Sequence, residues 1–223
     1  MKRLHLSGLI LAFQFLFSIG ALAQGSYKAE AIGAPPASDL PKPLAEMLEP
    51  QGSRLVNDQG VTLGEVWLRK EIPTRAGAGG SAEILYGSLS VGTFVGAIHF
   101  PQQAADFRGQ TIKPGFYALR YALIPQDGNH MGVNPSRDAL LLTPAAADTE
   151  LQKGLSFEEM VKLSRQASGT PHPGLLILAP ASGGENFPAA SKDDMGHWNL
   201  QVKGRGSNGD FHLAITLVGK WEG

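Results

Sequence analysis

The sequence predicts an all-β exported domain, an antiparallel β-sandwich with one peripheral α-helix. Three observations predict it. The chain opens on a secretory signal, the remainder is rich in Gly (28) and Pro (15), and short apolar runs with period-2 alternation sit between those breakers.

The signal comes first. Lys2 and Arg3 form a short positive region, an apolar stretch runs from about Leu9 to Ile19, and Ala21-Leu22-Ala23 makes a small-x-small cleavage site before Gln24. Residues 1–23 therefore read as a cleaved signal peptide, which leaves no membrane span after cleavage and places the protein in the periplasm or outside the cell. The chain has no cysteine, so there is no lipobox and no disulfide staple, and stability must come from burial. Without Lys2 and Arg3, 17 basic residues face 20 acidic ones, a net charge of about −3. No basic stripe appears, which argues against a nucleic-acid partner.

Residues 24–50 read as a Pro-rich leader, extended and mobile through GAPPASDLPKPL, with one helical turn expected near LAEMLE. Residues 51–223 read as the sandwich domain. VTLGEVWLRK, AEILYGSLSVG and TFVGAIHF are strand-like. PTRAGAGGS between the first two is a flexible loop, since a phosphate-cradling loop needs a following Lys-Ser/Thr and a helix. Lys113-Pro114-Gly115 is a turn. After it Tyr117, Leu119, Tyr121 and Leu123 alternate with Phe116, Ala118, Arg120 and Ala122, so this strand has two distinct faces, the one with Arg120 expected to be the wetter. ALLLT is a short buried strand.

The helix is signed by Leu155-Ser156-Phe157-Glu158-Glu159-Met160, a capping box with a hydrophobic staple. Met160, Leu163 and Ala167 continue one face, and Gly169 stops it. HWNLQVKG and DFHLAITLVG close the chain as a hairpin.

The segment ADFRGQTIKPGFYALRYALIPQDGNHMGVNPSRDALLLTPA, with its GxxIKPGxYxL pattern and a C-terminal Trp-led strand, resembles a family of secreted bacterial β-sandwich proteins that carry no assigned activity. The resemblance covers most of residues 60–220 and implies a β-sandwich and export. It implies no catalytic residues.

The polar stretch QDGNHMGVNPSRD concentrates the candidate chemistry. Its bland reading is a structural loop, with Asp127-Gly128 and Asn134-Pro135-Ser136 as turns and Arg137-Asp138 as a local ion pair or a tie from the loop to a neighbouring strand. Its functional reading is a ligand site of Asp127, Asn129, His130 and Arg137, joined by His172, which is held rigidly between Pro171 and Pro173. In that site His130 and Asn129 donate or accept hydrogen bonds and Arg137 takes an anionic group or Asp138. A loop at the end of a β-sandwich is a natural recognition surface. The expected role is a non-enzymatic module that binds a small ligand, a glycan or a protein partner. Tyr117, Tyr121, Trp67 and Trp198 offer ring area for a sugar, although alternating aromatics on strands are more often core.

Two alternatives follow from other residues. Soft ligands in a cysteine-free exported protein are Met and His, so His130, Met131, His172, Met195 and His197 form a candidate copper site, with Met195 and His197 on one face if that stretch is extended. No dense metal signature accompanies them. A hydrolase is the third class. There is no Gly-x-Ser-x-Gly elbow, and an Asp127/His130/Ser136 triad packs three members into ten residues, which rarely converge. Asp193-Asp194 and Glu158-Glu159 are adjacent pairs, which cannot flank a glycosidic bond.

Overall fold

The computed structural model describes residues 25–36, 38–126, 136–182 and 184–220. The strands are β1 (Tyr27–Ile32), β2 (Gly52–Asn57), β3 (Thr62–Leu68), β4 (Phe94–Phe100), β5 (Ala104–Ala105), β6 (Thr111–Ile112), β7 (Gly115–Leu123), β8 (Asp138–Pro144), β9 (Leu175–Ala179), β10 (Ala189–Lys192), β11 (Trp198–Gly206) and β12 (Gly209–Val218). The helices are α1 (Lys42–Met47) and α2 (Phe157–Ser168).

The all-β antiparallel expectation holds, with α2 as its principal helix. Ten strands form one sheet in the order β1-β2-β3-β4-β7-β8-β9-β12-β11-β10, and β5 and β6 form a small separate ribbon. The expected sandwich takes the form of a single sheet curled on itself. β9 pairs β8 on one side and β12 on the other, so hydrogen bonding runs from one half to the other. The two edges, β1 and β10, then meet at a nearly closed seam, where the Tyr27 ring packs 5.2 Å from that of Trp198. Closure shelters edges that would otherwise template pairing with another chain. Among the described residues no helix is long and apolar enough to cross a membrane.

Alternation along the strands sorts the core. Tyr117, Leu119 and Tyr121 of β7 point inward with Leu140, Leu142, Leu176, Leu178, Leu213 and Ile215. The opposite side of the same strands is buried too. α2 lays Met160 over Ala122, Ala139, Leu141, Leu175 and Ile177. α1 lays Leu44 and neighbouring Leu40 and Leu48 over Trp67, Phe94, Ala97 and Ala118. Strands buried on both faces read as continuous apolar runs, which is why ALLLT and LLILA do not alternate.

Three expectations change here. The residue 24–50 leader is part of the domain: β1 pairs β2 from Tyr27↔Asn57 to Ile32↔Gly52, and the buried Leu40, Leu44 and Leu48 anchor the rest. Each buried leucine contributes about 1.5–3 kcal/mol, enough to order a Pro-rich segment. AEILYGSLSVG is not a strand. It makes turns that drive Tyr86 and Leu89 into the interior, and its Leu85 and Tyr86 amides are satisfied by a side chain, Asp138, instead of a ladder. The Arg120 face is not wet: the arginine is fully buried against Asp148.

The helix forms as its signals require. Ser156 accepts the Glu159 amide at 3.3 Å, Glu159 accepts the Ser156 amide at 2.8 Å, and Gly169 ends the helix at φ 66°. Leu155 and Met160 share one apolar cluster, which is the staple. The terminal hairpin turns at Ser207-Asn208, between paired Gly206 and Gly209.

Candidate functional site

The outer face of the sheet beside α2 carries a groove of about 220 Å³. Its floor is Ala122 near the end of β7, Ile124 just beyond that strand, Leu141 from β8 and Leu175 from β9. Its wall is one face of α2. Phe157, Val161 and Arg165 stand at i, i+4 and i+8, so they line up one above another. Phe157 is 37% exposed, unusual for a phenylalanine at the head of a packed helix. The rim is basic, from Arg108, Arg165 and His172.

A web of polar bonds sets that rim. The buried Asp106 carboxylate accepts the amides of Arg108 (3.0 Å) and Gln110 (2.8 Å), the Gln110 side-chain amide (2.7 Å) and the Leu175 amide (3.2 Å). Burial pushes its carboxyl above the ordinary range, and those four donors pull the other way. Gln110 in turn accepts the Thr170 hydroxyl and donates to the Pro173 carbonyl at 3.0 Å. Thr170 accepts the His172 amide at 3.0 Å, and the Ser168 hydroxyl donates to the His172 carbonyl at 2.6 Å. The backbones that carry Arg108 and His172 are therefore fixed, whereas the Arg108, Arg165 and His172 side chains have no carboxylate partner among the described residues. A pre-formed apolar trough with uncompensated bases at its lip can hold a small molecule with an apolar body and a negative group.

The sequence-predicted site residues fall unevenly around this groove. His172 lines it. Arg137 does not. Its Nε donates to the Ile124 carbonyl at 2.9 Å, and its own carbonyl accepts the Ile124 amide at 2.8 Å, so it secures the strand end beneath the groove. Asp138 makes no ion pair with it among the described residues; instead it ties the chain to the neighbouring strand β7, the other expected role, by accepting the Tyr121 hydroxyl at 2.7 Å, and it also accepts the Leu85 and Tyr86 amides. Asp127, Asn129, His130 and Met131 lie outside the described residues. So do two members of the written triad; the third, Ser136, is buried with its hydroxyl 3.4 Å from the Leu178 carbonyl.

Met195 and His197 do not lie along an extended chain. Asp193 folds the stretch into a turn by accepting both their amides, at 3.0 and 2.8 Å, and it also meets the His197 Nδ1 at 3.1 Å. Met195 is left 60% exposed and His197 only 6%. Among the described residues no three His, Asp or Glu side chains converge as a metal site. The aromatic residues offered for sugar stacking are mostly core: Tyr117 and Tyr121 face the interior, and buried Trp67 donates its indole N–H to the Gly33 carbonyl at 2.8 Å.

The groove residues that sequence reasoning missed are Arg108, Phe157 and Arg165. Their signal was present in part, since Phe157, Val161 and Arg165 form a second face of a well-signed helix. Arg108 gave none, because it reaches the helix only through the fold. Compared with family models, with curated proteins and with solved structures, the chain matches none.

Proposed function

We propose that this is an exported, non-enzymatic module, acting in the periplasm or outside the cell, that binds a small organic anion in the groove beside α2. The observation that carries the reading is an apolar trough whose three bases, Arg108, Arg165 and His172, lack a carboxylate partner among the described residues. Uncompensated guanidinium groups beside apolar surface are best satisfied by a carboxylate or sulfonate, which a guanidinium meets with two parallel hydrogen bonds. The size limits the ligand. A dry cavity of about 150 Å³ holds one benzene, so a groove of about 220 Å³ suits one ring, or a short branched chain, bearing an acid group.

Thermal unfolding of the purified protein with benzoate, hexanoate and the neutral benzyl alcohol tests the reading. A ligand at a hundredfold excess over Kd stabilises the folded state by about 2.7 kcal/mol, a few degrees in a domain of this size. The acids raise the midpoint and the alcohol does not. Equal shifts with acid and alcohol would remove the anion from the reading, and no shift with any of them would remove the groove.

A further inference from the structure

A second cleft, of about 250 Å³, opens on the outer surface between the end of β3, residues 73–75, residues 90–94 and the loop at 151–154. It differs in kind from the groove beside α2. Three cationic side chains line it, Arg69, Arg75 and Lys153, with the hydroxyls of Thr74, Ser90 and Thr93, and no carboxylate is among its lining residues.

The cations are held at their backbones and largely free at their tips. Arg69 donates its amide to the Val95 carbonyl at 2.8 Å and bridges Leu48. Its half-buried guanidinium has no hydrogen-bond or ion-pair partner among the described residues. Arg75 spends one amino group on the Gly87 and Leu89 carbonyls, which leaves Nε and the other amino group uncommitted among the described residues. Lys153 is fixed through its carbonyl, which accepts from Arg120 at 2.8 Å, and its ammonium is exposed.

The charge balance is unfavourable as it stands. Burial and the buried Arg120 behind it both push the Arg69 pKa down, with Glu71 the one opposing charge. Asp148 does not relieve this, because both its oxygens bond Arg120. Glu159 acts weakly on Lys153 but is committed to Ser156. A partly desolvated cation with no counterion is costly, and an anion entering the cleft would offset that cost.

We propose that this cleft binds a multivalent oxyanion, a phosphate or sulfate group, between Arg69, Arg75 and Lys153. Three uncommitted donor sets and three hydroxyls match the several acceptor oxygens of such a group better than the two of a carboxylate. A water occupies about 30 Å³ of liquid, so the volume exceeds a bare ion and admits a group carried on a small polar body such as a sugar. The proposal does not depend on the groove beside α2.

The test is calorimetric titration of the purified protein at fixed ionic strength with inorganic phosphate, sulfate and a hexose phosphate, with chloride as the control. Phosphate and sulfate bind where chloride does not, and Arg69→Gln and Lys153→Gln each weaken binding by about tenfold or more. Arg69→Lys keeps the charge and still weakens it, because the guanidinium fork is lost. Benzoate binding is unchanged in all three variants, so this proposal and the groove reading fail separately. Tighter hexose phosphate binding than phosphate binding assigns the site to a carried group, and equal binding assigns it to the free ion. Chloride equal to phosphate, or undiminished phosphate binding in Lys153→Gln, whose exposed side chain the fold does not need, would overturn the proposal.

Discussion

Arg120 and Asp148 form a two-point ion pair with no solvent exposure on either side chain. Arg120 Nε and Nη2 donate to the two Asp148 oxygens at 2.8 and 2.6 Å. The remaining donors reach the carbonyls of Gly92, Glu150 and Lys153, and the Thr143 hydroxyl donates to Asp148 at 2.7 Å. The Arg120 guanidinium also lies 5.8 Å from the centre of the Phe94 ring. One buried charge pair thus clamps the loop after β8 to the sheet. Asp148→Ala leaves an uncompensated buried cation and lowers stability by about 3–5 kcal/mol. Arg120→Lys does not rescue, since an ammonium cannot make the planar set of bonds. Urea denaturation of the three proteins checks both.

Tyr86 stitches the shortest ladder of the ten-stranded sheet. β9 and β12 share only the pairs Ala214↔Ala179 and Ile215↔Leu178. The Tyr86 hydroxyl bridges this junction, donating to the Ala179 carbonyl at 2.8 Å and accepting the Ala214 amide at 2.9 Å. Burial pushes its pKa up, so it remains a donor throughout the accessible range. Tyr86→Phe keeps the ring and strands two buried backbone groups, at about 1–3 kcal/mol each. Hydrogen exchange in the variant rises first at Ala214 and its neighbours.

Asp106 is predicted to matter for both the fold and the groove. Each of its oxygens accepts two N–H groups, so Asp106→Asn sets an amide donor against donors. Stability falls by about 1–3 kcal/mol. Benzoate affinity falls with it, because the turn that holds Arg108 loosens. Denaturation and titration of the same variant check the pair of effects.

The cap of α2 gives an acid-limb prediction. The Ser156 amide and hydroxyl hold the Glu159 carboxyl below its ordinary value. A folded pKa lower than the unfolded one contributes stability above the unfolded value of about 4.5, and that contribution is lost as pH falls through the folded value. Asp106 has the opposite sign: its raised folded pKa favours the fold below the ordinary range, and that contribution is lost as pH rises through the folded value. Glu159→Gln therefore flattens the loss of stability between neutral and acid pH, measured by urea midpoints across that range.

Local chemistry was legible in the sequence and long-range meetings were not. Ser156 and Glu159 are three residues apart, so the cap is written in a short window. β7 shows its alternation for the same reason. β1 was hidden because its partner lies 20 or more residues ahead and its own alternation is weak beside a Pro-rich neighbour. AEILYGSLSVG carries strand propensity, yet Asp138, 52 residues from Tyr86, takes its amides and lets the tyrosine turn inward. Arg108 meets Arg165 and His172 only through the Asp106–Gln110–Thr170 web. His172 was found because two prolines mark it locally. Arg120 reads locally as the mark of a wetter face, because its counterion Asp148 lies 28 residues on and meets it only when the loop folds back.

The central claim is that the groove beside α2 takes a small apolar anion. The most direct measurement is a calorimetric titration of benzoate into the purified protein and into Arg165→Gln, a substitution at an exposed rim position. Saturable benzoate binding that weakens about tenfold or more in Arg165→Gln, with no binding of benzyl alcohol, is the predicted result. No benzoate binding, or equal binding of acid and alcohol unaffected by Arg165→Gln, would contradict it.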